Sequence, residues 1–295
     1  MRERGIGYQG IGVSGYRDIR GEEIMGWCII NDMNIFGMEI GRKFDLNSVP
    51  DKDLPEVKTC VYTTCYNEST ILPFFLKYYF SFADEIVVYD NSSTDNSVEI
   101  VNSYENTRVV RYNTGGIRDD ILLVMKNNIW KEARARFDFV IMVDTDEFIY
   151  YPDMKKLLRY CKKTGKTIMK PTGFNMVSEK LPRYDLPITD QVRNGVYEWH
   201  ENKCCVFDPN KIREINYTVG AHKCVPRGRV RWFRSPDLKL LHYKYLSKET
   251  YLRRIKDSRQ SDVNRKNNWG AYLDYPEQHH IDLYDSLLAK AERVI

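Results

Sequence analysis

Asp144 and Asp146 are the residues whose types and spacing speak most directly of chemistry. They follow five apolar residues, Phe139 to Val143, and precede Glu147 and Phe148. An apolar run rich in β-branched residues reads as a strand buried on both faces, as in a parallel sheet. Side chains alternate along a strand, so two acids one residue apart project to the same side at its carboxyl end. Adjacent carboxylates repel unless a proton or cation lies between them. A hard divalent ion, Mn²⁺ or Mg²⁺, that keeps some waters and also binds substrate phosphates suits such a place.

The elements before this strand alternate. Residues 59–65 read as a first strand, and Ile71, Leu72, Phe75, Leu76, Tyr79 and Phe82 follow at helical spacing. Residues 86–89 form a second strand, closed by the turn-rich segment Asp90 to Asp95, and Asn96 with Glu99 resembles a helix-start box. Residues 108–111 form a third strand. A helix is expected over 119–136, with Ile121, Leu122, Met125, Ile129 and Ala133 inward. This rhythm predicts an α/β fold with a mainly parallel sheet and helices on both faces. In such sheets the ligand lies at the carboxyl ends of the strands, where Thr64, Asp90 and Asp144 all fall. Beyond Pro152 the pattern loosens, with strands expected over 167–170 and 203–207, a basic helix over 247–264 and a terminal amphipathic helix over 281–294.

Composition sets bounds. The chain has 295 residues, 42% apolar and 29% charged, which suits a globular protein with a real core. A net charge of +4 argues for no partner, but residues 211–266 carry 16 Lys/Arg against 5 Asp/Glu. That surplus complements an anionic substrate or makes a solvated face. Seven cysteines without a CxxC pair fit free thiols in a reducing compartment. No signal-peptide pattern or membrane-length apolar run is present, so the expectation is a cytoplasmic protein with no transmembrane segment. The sequons at Asn67, Asn91 and Asn216 are then chance matches. Nine of the 17 glycines fall in residues 1–56. Their two GxGxxG matches lack the preceding strand that a dinucleotide site needs. The expected organisation is an irregular N-terminal arm or small cap (1–56), a main domain (57–246) and a helical C-terminal extension (247–295).

Four segments together carry a resemblance: TTCYNES at 63–69, VVYDNSSTDNS at 87–97, VIMVDTDEF at 140–148, and GAHKCVP at 220–226 with LLHYKYLS at 240–247. In order and spacing the chain resembles a family 2-type glycosyltransferase of the Rossmann-like GT-A fold, in which Asp144-Thr145-Asp146 is the DxD motif. The resemblance implies transfer of a sugar from a nucleoside-diphosphate sugar, UDP-sugar first among them, with inversion. The acceptor is left open: a glycan, a lipid-linked sugar, a protein or a modified nucleic acid. By resemblance Thr64 and Glu68 contact the nucleoside, Asp90 reads base or ribose, and Asp144 and Asp146 bind the metal. His222 or His242 matches a C-terminal histidine that touches metal or diphosphate.

The family's usual Glu-Asp base motif is not recognisable. Asp190 lies nearest its expected place, and Glu198 and Glu201 compete with it as the catalytic carboxylate. Plainer roles stand beside these. Asp90 could cap the following turn, Glu68 could serve a helix start, either histidine could be structural, and His279 and His280 are expected in solvent. Lys248, a candidate nucleotide-sugar contact, could with Lys244, Arg253 and Arg254 simply make a solvated helix face. Two other readings share the apolar strand ending in DxD. A haloacid-dehalogenase-type phosphatase is disfavoured by Phe148 and by the motif's place on a late strand. A non-catalytic carbohydrate-binding protein on the same fold is disfavoured by the intact acids.

Overall fold

The structure is a computed structural model that describes residues 45–295. The glycine run of the N-terminal arm lies outside the described residues. The arm's last residues join the body of the protein: Leu46 and Leu54 are buried. The Arg159 guanidinium donates to the carbonyls of Asp51, Leu54 and Pro55 at 2.9, 2.7 and 3.1 Å.

The first part alternates as the hydrophobic pattern requires: β1 (Thr59–Cys65), α1 (Leu72–Tyr79), β2 (Glu85–Asp90), α2 (Ser97–Asn102), β3 (Thr107–Arg111), α3 (Asp119–Asn128) and β4 (Phe139–Met142). β1 pairs in parallel with both β2 and β4, and β2 with β3. All four residues of β4 are buried. After them come β5 (Glu147–Tyr150), α4 (Met154–Thr164), β6 (Ile168–Met169), β7 (Thr172–Ser178), α5 (Ile188–Gln191), β8 (Asn194–Tyr197) and β9 (Val206–Phe207). The chain ends with β10 (Ile212–Glu214), β11 (Arg227–Gly228), β12 (Trp232–Phe233), β13 (Lys239–Leu246), α6 (Lys248–Lys256), α7 (Asp262–Lys266), α8 (Glu277–Lys290) and β14 (Glu292–Arg293). The main sheet runs β12-β6-β9-β4-β1-β2-β3, and a second sheet runs β14-β8-β7-β13-β5. β9 is antiparallel to β4 and β6, so the main sheet is mainly parallel rather than wholly so.

The two sheets meet at the acidic motif. After β4 the chain turns, with the Glu147 N–H on the Asp144 carbonyl at 3.0 Å, and re-enters sheet as β5. There β13 pairs antiparallel with β5, placing His242 opposite Glu147. The Tyr243 N–H also reaches the Asp146 carbonyl at 2.7 Å. α1 anchors this corner: the buried Tyr79 hydroxyl donates to the Glu147 carbonyl at 2.8 Å and accepts from the Ile149 N–H at 3.0 Å. Phe148, fully buried, packs edge-on against Phe75 and Tyr243. Burying a ring of that size contributes about 1.5–3 kcal/mol, which fixes the strand that carries the acids.

Several expected elements differ in detail. The helix expected over 119–136 is α for Asp119–Asn128 and 3₁₀ for Ile129–Ala133. Its buried positions are Lys126, Trp130 and Ala133, whereas Ile121, Leu122, Met125 and Ile129 are half-buried. The basic helix divides into α6 and α7, and the terminal helix starts earlier, at Glu277. Asn96 makes no side-chain cap. The Asp95 carboxylate takes that part, accepting from the Ser97 and Ser69 N–H groups at 3.0 and 3.1 Å. His280 is buried, its Nδ1 2.9 Å from the Tyr251 hydroxyl, because α8 packs onto α6 rather than standing in solvent. The six described cysteines are free, and five are buried. Among the described residues no helix is long and apolar enough to cross a membrane.

Candidate active site

A cleft of about 750 Å³ opens at the carboxyl ends of β1 and β4. Its walls come from the turn after β1, α3, the acidic turn, β13 and the segment from α6 onward. Thr64, Glu68, Asp144, Asp146, Glu201, His222 and His242 all line it. Asp90, Asp190, Glu198 and Lys248 do not.

The two acids of the motif meet different cations. Both Asp144 oxygens accept from the Lys126 ammonium, at 2.7 and 2.9 Å, and Thr64 Oγ1 lies 3.4 Å from Oδ1. Asp146 Oδ2 accepts from Arg254 Nη1 at 2.8 Å and lies 3.3 Å from His242 Nε2. The other arm of Arg254 holds Glu68 at 2.7 Å. Burial opposes ionisation of both acids, but Lys126 and Lys203 hold Asp144 below the usual carboxylate range, and His242 and Arg254 hold Asp146 well below it. Burial raises Glu68 to about 7 against the pull of Arg254.

Behind the acids lies a chain of buried charges. Glu147 Oε2 accepts from the Asp144 N–H at 3.0 Å, and its Oε1 is paired with Lys203. Lys203 also lies 2.9 Å from Glu201 Oε2, and Glu201 Oε1 lies 3.3 Å from His242 Nδ1. Asp146, Glu147, Glu201 and Lys203 are each more than nine-tenths buried. His242 is therefore flanked by an acid on each ring nitrogen. Burial alone would lower its pKa, yet Glu201 and Asp146 raise it to about 10. The position favours positive charge, whether a proton or a metal.

Among the described residues, one pair of side chains offers donors of the kind a divalent ion takes. Asp146 Oδ2 and His242 Nε2 are a hard oxygen and an imidazole nitrogen 3.3 Å apart, a donor pair suited to Mn²⁺ and usable by Mg²⁺. Among the described residues no three His, Cys, Asp or Glu side chains converge tightly enough to hold a metal by themselves. An ion here would draw its remaining ligands from water and from a diphosphate.

The other candidates are placed elsewhere, each for a local reason. Asp90 is buried at the end of β2, and its carboxylate accepts from the Ser93 N–H at 3.3 and 3.2 Å, so the neighbouring Asn91 faces the cleft instead. Asp190 is exposed on the short α5. Glu198 bonds the N–H and Nδ1 of His200 at 3.1 and 2.8 Å. Lys248 pairs with Asp285 at 2.5 Å, because the first turn of α6 faces α8. His222 borders the cleft but bonds the His200 carbonyl at 2.9 Å rather than an acid.

Sequence reasoning missed Lys126, Lys203 and the inward aim of Arg254. A lysine at helical spacing within the apolar face of α3 was the available signal for the first. Arg254 was read as solvated, but α6 starts at the Ser247 cap, whose Oγ accepts from the Thr250 N–H at 3.2 Å, and this turns Arg254 into the cleft.

The profile described as Glycosyl transferase family 2 matches residues 60–224, more than half of the chain. The chain belongs to that family. Its fold is GT-A. The match takes in the acidic motif, Glu201 and His222 but ends before His242 and Arg254. No curated protein matches the chain. Similar solved structures include S. aureus TarS 1–349 in complex with UDP, 22% identical over 43% of this chain and 38% of that one, with a TM-score of 0.33. TarS 1–349 is 14% identical over 77% of this chain and 69% of that one, TM-score 0.41. A further TarS structure is 15% identical over 76% and 41%, TM-score 0.39. The chain thus spans about two fifths of the first and third of these. Family membership sets aside the phosphatase reading.

Proposed function

We propose that this protein is a metal-dependent glycosyltransferase that moves a sugar from a nucleoside-diphosphate sugar to a hydroxyl acceptor, with inversion. The observation that carries this reading is the meeting of Asp146 with His242 and Arg254, in one cleft with Asp144, Thr64 and Lys126. Asp146 and His242 would hold Mn²⁺ or Mg²⁺, which when bound neutralises charge on the departing diphosphate. Arg254 and Lys126 supply fixed positive charge on either side, and guanidinium is the group suited to bidentate phosphate recognition. Asp144 and Thr64, beside the end of β1, would meet the nucleoside end of the donor. Glu201 lines the cleft, but its two oxygens face the charged Lys203 and His242 at 2.9 and 3.3 Å and it is more than nine-tenths buried, so it is a poor candidate to meet an acceptor hydroxyl.

The acceptor is a glycan, lipid-linked sugar, protein or modified nucleic acid. Arg227, Arg229, Arg231 and Arg234 are exposed, a local surplus of positive charge that suits an anionic one. UDP, the nucleotide in the TarS complex, is the first to try. The test is release of nucleoside diphosphate from a panel of sugar nucleotides, with Mn²⁺ or with excess chelator. Release that needs the metal and is lost in Asp146→Ala supports the reading. Full release in chelator overturns the metal, and no release from any donor, with or without acceptors, favours the non-catalytic alternative.

A further inference from the structure

We infer that Glu201 and Lys203 are positioning residues that aim His242 Nε2 at the cation site. The inference rests on the reading that Asp146 and His242 hold the cation, and it deepens that reading. A histidine ligand is fixed when a carboxylate engages its second ring nitrogen, which sets both tautomer and ring plane. Glu201 Oε1 stands 3.3 Å from His242 Nδ1, while Nε2 faces Asp146 at the same distance on the other side. Lys203 holds Glu201 from behind at 2.9 Å and also pairs with Glu147, whose other oxygen accepts from the Asp144 N–H. The line from Asp146 through His242, Glu201, Lys203 and Glu147 thus returns to the backbone of Asp144. The two acids of the motif are tied together from behind by buried charge.

The backbone is shaped for this. Glu201 ends a 3₁₀ turn, Trp199–Glu201, that lies directly on Gly173 of β7. A methyl group at Gly173 would collide with the backbone and Cβ of Glu201. The Gly173 N–H donates to Asn202 Oδ1 at 2.7 Å, and its carbonyl accepts from the Glu198 N–H at 3.0 Å, clamping both ends of the turn. β7 also pairs with β13 in a register that sets His242 opposite Asn175. The strand that carries the histidine and the turn that carries its carboxylate therefore rest on the same strand. Gly173 permits an approach that any side chain would prevent.

The experiment measures Mn²⁺ affinity by electron paramagnetic resonance, with UDP present, for the full chain and the variants His242→Ala, Glu201→Ala, Glu201→Gln and Gly173→Ala. Melting without Mn²⁺ checks that each variant is folded. Positioning predicts that Glu201→Ala binds Mn²⁺ about 10–100-fold more weakly, the usual effect of removing such a partner. Glu201→Gln should fall between, since its amide oxygen keeps a partial negative charge facing Nδ1 while the full carboxylate charge is lost. Gly173→Ala should weaken binding although every ionisable group remains. Donor turnover by Glu201→Gln should recover at saturating Mn²⁺. The inference is overturned if the Glu201 and Gly173 variants bind Mn²⁺ as the unaltered chain does while His242→Ala loses it. It is also overturned if Glu201→Gln binds Mn²⁺ normally but stays inactive, which would make Glu201 the base. If the unaltered chain binds no Mn²⁺, or His242→Ala changes nothing, the metal reading itself fails and takes the inference with it.

Discussion

The two walls of the cleft are built in different ways. On one side Thr64 and Asp144 stand at the ends of parallel strands, and each is delivered by its own strand and the turn after it. On the other side Glu201, Lys203, His242 and Arg254 come from a 3₁₀ turn, the segment after it, β13 and α6, far along the chain from the acids they meet. The first wall is local chemistry: strand, turn, acid. The second is register, since His242 reaches Asp146 only because β13 pairs with β5. The difference teaches where a sequence pattern stops. A motif can announce its acids, but the cations and the histidine that complete the site are fixed by strand pairing between distant segments.

The comparison can be broken most forcefully at Lys203, which sits in the second wall and reaches the first through Glu147. Lys203→Met leaves Glu147 and Glu201 buried without their cation. Removing one partner of a buried ion pair destabilises by roughly 3–5 kcal/mol, to be measured by denaturant unfolding. A loss below the experimental error would mean that the second wall is not held by these charges.

The next largest effect is on chemistry. Asp146→Ala should lower metal-supported release of nucleoside diphosphate by about 10²–10³-fold, the scale for removing one group that stabilises developing charge. Asp144→Asn should weaken Mn²⁺ binding less than Asp146→Asn does, because Asp144 is held by Lys126 while Asp146 faces His242. Equal losses from the two would mean that both acids share the ion.

The first wall was largely legible. The apolar run at 139–143, the helical spacing from Ile71 to Phe82 and the acids at the strand ends predicted the parallel sheet and the place of the cleft. Asp90 shows the limit of that reasoning: its position at a strand end was visible, but the direction of its carboxylate depends on the turn to Ser93. Lys126 interrupts an apolar helical face, a signal that is present yet equally compatible with a lysine at the helix edge. Glu201 and His242 stood among several acids and histidines, and nothing local ranks them above Glu198, Asp190 or His222. Arg254 looked like a solvated residue because its role requires α6 to lie across the cleft.

Smaller effects sharpen the same division. Asp90→Ala removes a buried turn hydrogen bond to a carboxylate, so it should cost about 1.5–3 kcal/mol of stability, the range for a bond to a charged group, and leave UDP affinity unchanged. Weakened UDP binding without loss of stability would return Asp90 to the nucleoside. Asp190→Asn, on the exposed α5, should change stability by no more than about 0.5 kcal/mol, the range for surface substitutions, with turnover near that of the unaltered chain. A large loss of turnover there would move the base to Asp190.

The most direct measurement is a calorimetric titration of UDP into the full chain, with Mn²⁺ and again in excess chelator, repeated for Asp146→Ala and His242→Ala. If residues from both walls form one metal-assisted diphosphate site, UDP binds saturably with Mn²⁺, and the chelator and each substitution weaken it together. Tight binding in chelator that neither substitution changes would contradict the account.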